Sequence, residues 1–402
     1  MEICVRTTGN RFVVAFFALL MFFMFLVEEA RAEDYASHYV KAIQEKNYSE
    51  AMVAARAIWK RWDKSHSSSE IQALEFLNTA LNASDFEFMN LIISDLFQSR
   101  ADGGLVFQNE SLLTLLDEYV AFKVSDKQKI PKEVINKLVA HVKSSNSQYP
   151  MIELKVADLL ALQATKQGQA QIAHDSYQSI ALIWEKQGDE FIDRWYSAKI
   201  VANYIHFANY QNKNAFYDIA QAEEKYLKYS ESNLKPHRTN DPHIFDDGHD
   251  RQIKLRAQGD VLMMTMEAYW KSSGERVPRY RSTNSSHEHL PDDANVDLES
   301  DKSTLPFCKG KLLQKPKMRY PKAARKGFKV FVGSSMFRVE LDEKGKLIDT
   351  ELLAVFPSQL TFDDKALANM KKWYWKPEKG QDLSKCTMAT TDMILPFQFV
   401  LN

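Results

Sequence analysis

Glycine and proline are scarce. The chain of 402 residues holds 13 glycines and 12 prolines, against ordinary usage of about 7% and 5%. So few turn formers argue against a large Rossmann or all-β fold and for a mostly helical chain. Cysteine is rarer still, at 3, with no C-x-x-C pair to hold a metal. Charge of one sign is missing: 52 Lys+Arg face 53 Asp+Glu, a net of -1. That balance provides neither the basic field of a nucleic-acid surface nor an acidic tail. There is no G-x-S-x-G, no H-E-x-x-H and no P-loop, so no motif speaks for catalysis. What is present is apolar surface, 45% of residues, enough to build packed cores in the two or three domains that roughly 150 residues each would allow.

The N-terminus reads as a targeting segment. Arg6 and Arg11 precede the apolar run Phe12 to Val27, and Ala30-Arg31-Ala32 forms an A-x-A cleavage site. A signal peptide over 1–32 is expected, with a short membrane anchor as the alternative. The run is short for an anchor, about 24 Å of helix against a hydrocarbon core of about 30 Å, and Glu28 and Glu29 oppose its extension. Either way the remainder is exported. Cys4 falls in this segment, leaving Cys308 and Cys386. One disulfide is the simplest reading in an oxidising compartment; a metal pair or two free thiols are the others.

Residues 33–271 read as successive helices, with Pro131 and Pro150 at helix starts and Ile152, Val156, Leu159 and Leu160 as an apolar stripe. Two stretches repeat a pattern after a short polar turn. Asn47 to Glu50 leads into Ala51, Ala55, Ile58 and Trp62; Lys166 to Gln169 leads into Ala173, Tyr177, Ile180 and Trp184. The pattern resembles tetratricopeptide-type helical hairpins, in which a small alanine lets paired helices approach closely. Arg251 to Lys271 reads as one more helix, and 272–304, rich in serine and aspartate, as a mobile tether between independently folded units.

Residues 305–402 change character. Arg319 to Gly327 reads as a short helix. Met336 to Leu341 alternates as a strand, Asp342 to Gly345 makes a hairpin turn, and Lys346 to Val355 returns. A helix from Phe362 to about Lys372, an extended Trp373 to Pro377 and a last strand from Met388 to Leu401 follow. The order Tyr320-Pro321 with Ala323 and Ala324, Gly333, Asp342-x-x-Gly345, Phe362-Asp363-x-x-Ala366-Leu367, Trp373-x-Trp375-x-Pro377 and Pro396 to Leu401 resembles the C-terminal domain of the TonB family. The expected architecture is therefore multidomain: an all-α, tetratricopeptide-like helical-hairpin region followed by a small α+β TonB-like domain.

The resemblance implies a periplasmic protein of outer-membrane transport, or one held in the inner membrane facing the periplasm. Its implied partners are an outer-membrane transporter or another envelope protein, with ExbB/ExbD-type inner-membrane proteins as further candidates. Energised family members carry a histidine in a long N-terminal anchor and a proline-rich spacer; neither stands here, which favours an accessory or adaptor. A periplasmic helical-repeat scaffold without energy coupling is the rival. The resemblance also puts the last strand at a pairing edge, with Thr391, Asp392, Met393, Ile394, Leu395, Pro396, Phe397 and Gln398 as the binding segment. A Cys308–Cys386 bond would tie the domain's start to the loop before that strand. No cofactor, metal or nucleic acid is expected. His243, Asp246, Asp247, His249, Asp250 and His287-Glu288-His289 lack an established ligand spacing and read as solvated turns. Lys322, Arg325, Lys326 and Lys329 read as a solvated basic face, and Trp373 and Trp375 as core on one strand face.

Overall fold

A computed structural model describes residues 30–61, 69–102, 109–125, 127–145, 149–233, 247–280, 305–313, 320, 332–357 and 362–399. The expected targeting run, the short helix over 319–327 apart from Tyr320, its basic face and most of the tether lie outside these residues. The chain is mostly helical, with a small antiparallel-sheet region near its C-terminus. It forms two compact units, Met1–Leu159 and Leu160–Asn402.

The first unit comprises helices α1 (Ala30–Gln44), α2 (Tyr48–Arg61), α3 (Ser69–Ala83), α4 (Phe86–Ala101), α5 (Glu110–Val124), α6 (Lys132–Ser144) and the beginning of α7 (Pro150–Lys166). Short side chains set the helix spacing: Ala51 and Ala55 on α2 are fully buried, as are Ala73 and Ala80 on α3. Aromatic rings fill the wider gaps, with Tyr39 and Trp59 edge-on to Phe76 at 5.3 and 6.2 Å. Trp59 keeps its indole N–H satisfied by donating to Asp95 at 2.9 Å, as a buried indole requires.

One backbone turn recurs. Lys46, Ser84 and Gly168 all take positive φ, at 56, 58 and 67°. In each case the next residue's N–H reaches back to the carbonyl five residues earlier: Asn47 to Ala42 (2.8 Å), Asp85 to Ala80 (2.8 Å) and Gln169 to Ala164 (2.9 Å). This is the Schellman helix ending, which satisfies two orphan carbonyls and reverses the chain. The first and third copies follow the repeat seen in sequence, and their buried Ala51 and Ala173 occupy equivalent places. The middle copy has Met89 there, so its turn left no readable pattern.

Glu75 on α3 has a testable consequence. Burial lifts its carboxyl to about 7, above the ordinary value of about 4.3. Between those values the folded chain holds a proton that the unfolded chain has released, so stability falls as pH rises and levels above 7. Glu75→Gln should abolish that decline, raising stability at pH 8 by up to about 3 kcal/mol and leaving it unchanged at pH 4. Denaturant titrations at both pH values measure this; an undiminished decline in the variant would clear Glu75 of the effect.

The second unit holds the rest of α7, then α8 (Ala170–Gln187), α9 (Ile192–Tyr210), α10 (Lys213–Asn233) and the long α11 (Asp247–Ser273). Strands β1 (Gly310–Leu313), β2 (Gly333–Leu341) and β3 (Leu347–Phe356) follow, then α12 (Phe362–Met370), β4 (Tyr374–Pro377) and β5 (Thr390–Phe399). β1 and β4 form a two-stranded ribbon, and a separate antiparallel sheet has the order β3-β2-β5.

Helix α11 serves two neighbours. Its Trp270 meets Phe207 and Phe216 of α9 and α10, each at 5.8 Å. Its Ala257 and Val261 pack with Met336, Leu353 and Ala354 of the sheet. Sequence placed a tether between independently folded helical and C-terminal units; in the structure the sheet shares a core with the helix just before that tether. The tether's described start also packs back, the Tyr280 hydroxyl donating to Glu224.

Candidate functional site

The three-stranded sheet follows from alternation in β2. Phe337 and Val339 point to one face, where Phe362, Ala366 and Met370 of α12, with Trp373, Phe397 and Phe399, close the core. Phe362, Ala366, Asn369 and Met370 are the buried positions of α12, at helical spacing, and Asp363 and Asp364 favour its N-terminal end. Met336 points to the other face, against α11. Both sheet faces are thereby covered, and what remains available is its edges.

The edges differ. β3 carries Asp349 and Glu351, and Lys346 just before it already bridges to Tyr374. Charges of this kind keep an edge from pairing. β5 has no charged residue from Met393 to Phe399. It runs antiparallel to β2, with Phe399 opposite Gly333, Leu395 opposite Phe337 and Met393 opposite Val339. Among the described residues no strand pairs with its other side. Pro396 is exposed, while Met393, Ile394, Leu395 and Gln398 are partly exposed and Phe397 is buried. The expected binding segment 391–398 thus lies wholly in the edge strand; for Thr391 and Asp392 only the backbone is described.

Helix α11 holds this edge in place. Gln398 donates to the Met264 carbonyl at 2.7 Å and accepts from Lys271 Nζ at 3.3 Å. At the opposite edge, Lys254 Nζ meets Asp250 and Glu351, each at 2.8 Å. Arg338 Nη2 bonds Asp250 and lies 3.3 Å from Glu351. Hydrogen bonds from Lys254 and then Arg338 hold the Asp250 carboxyl below its ordinary range. Sequence offered no signal for this clamp, because its members come from a helix and two strands far apart in the chain. Asp250 is accordingly an ion-pair partner. The remaining members of the histidine–aspartate cluster lie outside the described residues or have undescribed side chains.

Cys308 and Cys386 are bonded, with S–S 2.05 Å. Cys308 N–H donates to Thr387 O at 2.8 Å and Thr387 N–H to Pro306 O at 2.9 Å, fastening the 382–387 loop beside β1. The two tryptophans part company, contrary to a shared strand face. Trp373 precedes β4 and packs on Phe397 at 5.2 Å. Trp375, within β4, packs on Phe307 at 4.9 Å and donates to the Cys308 carbonyl at 3.1 Å. The short ribbon pairs residues some sixty positions apart, so β4 faces a partner that alternation alone does not reveal.

Among the described residues there is no group of three His, Cys, Asp or Glu side chains able to hold a metal ion. No described helix is long and apolar enough to cross a membrane. No protein-family model and no curated protein matches the chain.

Proposed function

We propose that the chain is an exported TonB-type accessory protein that binds an envelope partner by accepting one of its extended segments as a further strand on β5. The observation carrying this reading is the outer edge of β5, uncharged from Met393 to Phe399, in a sheet whose faces are both covered. An extended segment paired there gains main-chain hydrogen bonds with little demand on its sequence, and alternate side chains select it. The partner class, an outer-membrane transporter or another envelope protein, comes from the family resemblance.

That resemblance is supported by where its signature residues meet. The rings of Tyr320 and Phe362 lie edge to face at 5.8 Å, and the Phe362 ring fits against Gly333, where a side chain would collide with it. Gly345 accepts from Trp375 N–H at 2.7 Å. The spaced motif therefore corresponds to a set of contacts. A tetratricopeptide-type reading of the helical pairs is likewise supported by the recurring turn at Lys46, Ser84 and Gly168 and by the buried Ala51 and Ala173.

Photo-crosslinking in intact envelopes tests the reading. A photoreactive residue at exposed Pro396 should capture an envelope protein, whereas one at Ile348, exposed on the opposite edge strand, should not. Capture from Ile348 or from the helical surface alone would reject the β5 edge and favour the helical scaffold.

A further inference from the structure

The first unit contains a polar relay that the strand-pairing function does not use. Ser111 is in the first turn of α5, His141 in the last turn of α6 and Glu153 in the first turn of α7. Ser111 Oγ is 2.7 Å from His141 Nδ1, and His141 Nε2 is 3.1 Å from Glu153 Oε1. The histidine and glutamate side chains are 1% and 0% exposed, while Ser111 is exposed. The hydroxyl of an exposed serine thus backs onto a buried imidazole, which backs onto a buried carboxyl.

The proton positions follow from donor and acceptor roles. An ionised Glu153 can only accept, so the neutral ring carries its proton on Nε2 and offers the Nδ1 lone pair to the serine hydroxyl. Asn109 Oδ1, at 3.2 Å from Ser111 Oγ, is the more distant acceptor. Glu153 Oε2 is buried without a hydrogen-bond partner. A half-satisfied buried carboxylate is costly in a merely structural link. The same charge is useful if the neighbouring ring becomes cationic during a reaction. At the α5 N-terminus Asn109 already accepts from the Leu112 and Leu113 amides, which leaves the Glu110 and Ser111 amides to face a developing oxyanion.

We propose that Ser111 is a nucleophile toward small activated esters, with His141 as its general base and Glu153 as the residue that orients and balances the ring. Ser111 Oγ attacks the ester carbonyl carbon and its proton passes to His141 Nδ1. The tetrahedral oxyanion then collapses, the C–O bond to the alcohol breaks, and the departing alkoxide takes the proton from Nδ1. Water attacks the acyl-serine, giving one proton to Nδ1; that proton returns to Ser111 Oγ as the carboxylic acid leaves. Ser111 and His141 are the catalytic residues and Glu153 a positioning residue. No sequence motif announces the arrangement, because the three residues come from three helices.

The test treats the full-length protein with a fluorophosphonate probe, read by intact mass and peptide mapping. One adduct on Ser111 is expected, absent in Ser111→Ala. His141→Gln should slow labelling by about 100-fold or more. Glu153→Gln should slow it about tenfold or more and alter the pH–rate profile, a change that a structural link would not produce in protein that remains folded. In the unsubstituted protein the labelling rate should rise with pH, as a base that acts in its neutral form requires. That readout stands even if a buried substitution prevents folding. No adduct on folded protein, labelling elsewhere with Ser111 unmodified, or a rate indifferent to His141 and to pH would overturn the proposal.

Discussion

Removing the Cys308–Cys386 bond is expected to destabilise the C-terminal region by roughly 4 kcal/mol, the loop-closure value for a separation of this size. The bond spans 78 positions and encloses the ribbon, β2, β3 and α12, with β5 following just after it. The ribbon should suffer first. β1 and β4 are four residues each, and a two-stranded ribbon of that length is marginal without support. Phe307, Trp375 and the Thr387 bonds hold it, and all depend on Cys308 staying beside the 382–387 loop. Thermal unfolding of the Cys308→Ser/Cys386→Ser protein should show a markedly lower midpoint. Hydrogen exchange should show β1 and β4 losing protection before β2. An unchanged midpoint would mean that the packing alone closes this loop.

Gly333→Ala should cost about 3 kcal/mol despite adding one methyl group, at the upper end for overpacking a core. A Cβ at this position would lie 2.3 and 2.4 Å from the Phe362 ring and 2.7 Å from the Phe356 carbonyl oxygen. The ring cannot withdraw, since Phe399 lies at 4.9 Å and Tyr320 at 5.8 Å. The oxygen belongs to the paired strand β3. Relief would have to come from β2 moving, and Gly333 is directly opposite Phe399 of the candidate edge. Phe362→Leu should lessen the penalty, so a double-mutant cycle in denaturant should give a coupling of about 1 kcal/mol or more. A neutral Gly333→Ala would refute the close approach of α12 to the sheet.

Local patterns were readable where neighbours in sequence are neighbours in space. The β2 alternation, the turn closed by Gly345 at φ 71°, and α12 with Phe362 and Ala366 buried all belong to that class. So does the paired turn at Lys46 and Gly168, announced by the alanine five positions on. Long-range pairings were not readable. β1 has four residues and finds its partner in β4; nothing in Gly310 to Leu313 names that partner. Helix α11 is buried on two sides, so its apolar residues form no single stripe, and it reads as an ordinary helix rather than a shared one. The clamp of Asp250, Lys254, Arg338 and Glu351, and the relay of Ser111, His141 and Glu153, are assembled across elements. No spacing rule connects their members. For the candidate edge, the strand itself was legible, while its place at the end of the described sheet order β3-β2-β5 was not.

The double duty of α11 bears on where this chain can be cut. A fragment beginning at Leu305 would retain β1 to β5 and α12, but it would bring Met336, Leu353, Ala354, Phe356 and Ile394 into water together, because α11, with Tyr204 of α9 against Phe356, is what packs on them. A contiguous apolar patch of that kind promotes self-association. The smallest soluble piece carrying the β5 edge should therefore start upstream of Asp247. Starting there would also strip the α9 and α10 faces from Trp270, so the practical boundary retreats to the start of the second unit. The β5 edge is a property of the whole assembly from Leu160 onward, and any recognition it performs cannot be transplanted as a cassette.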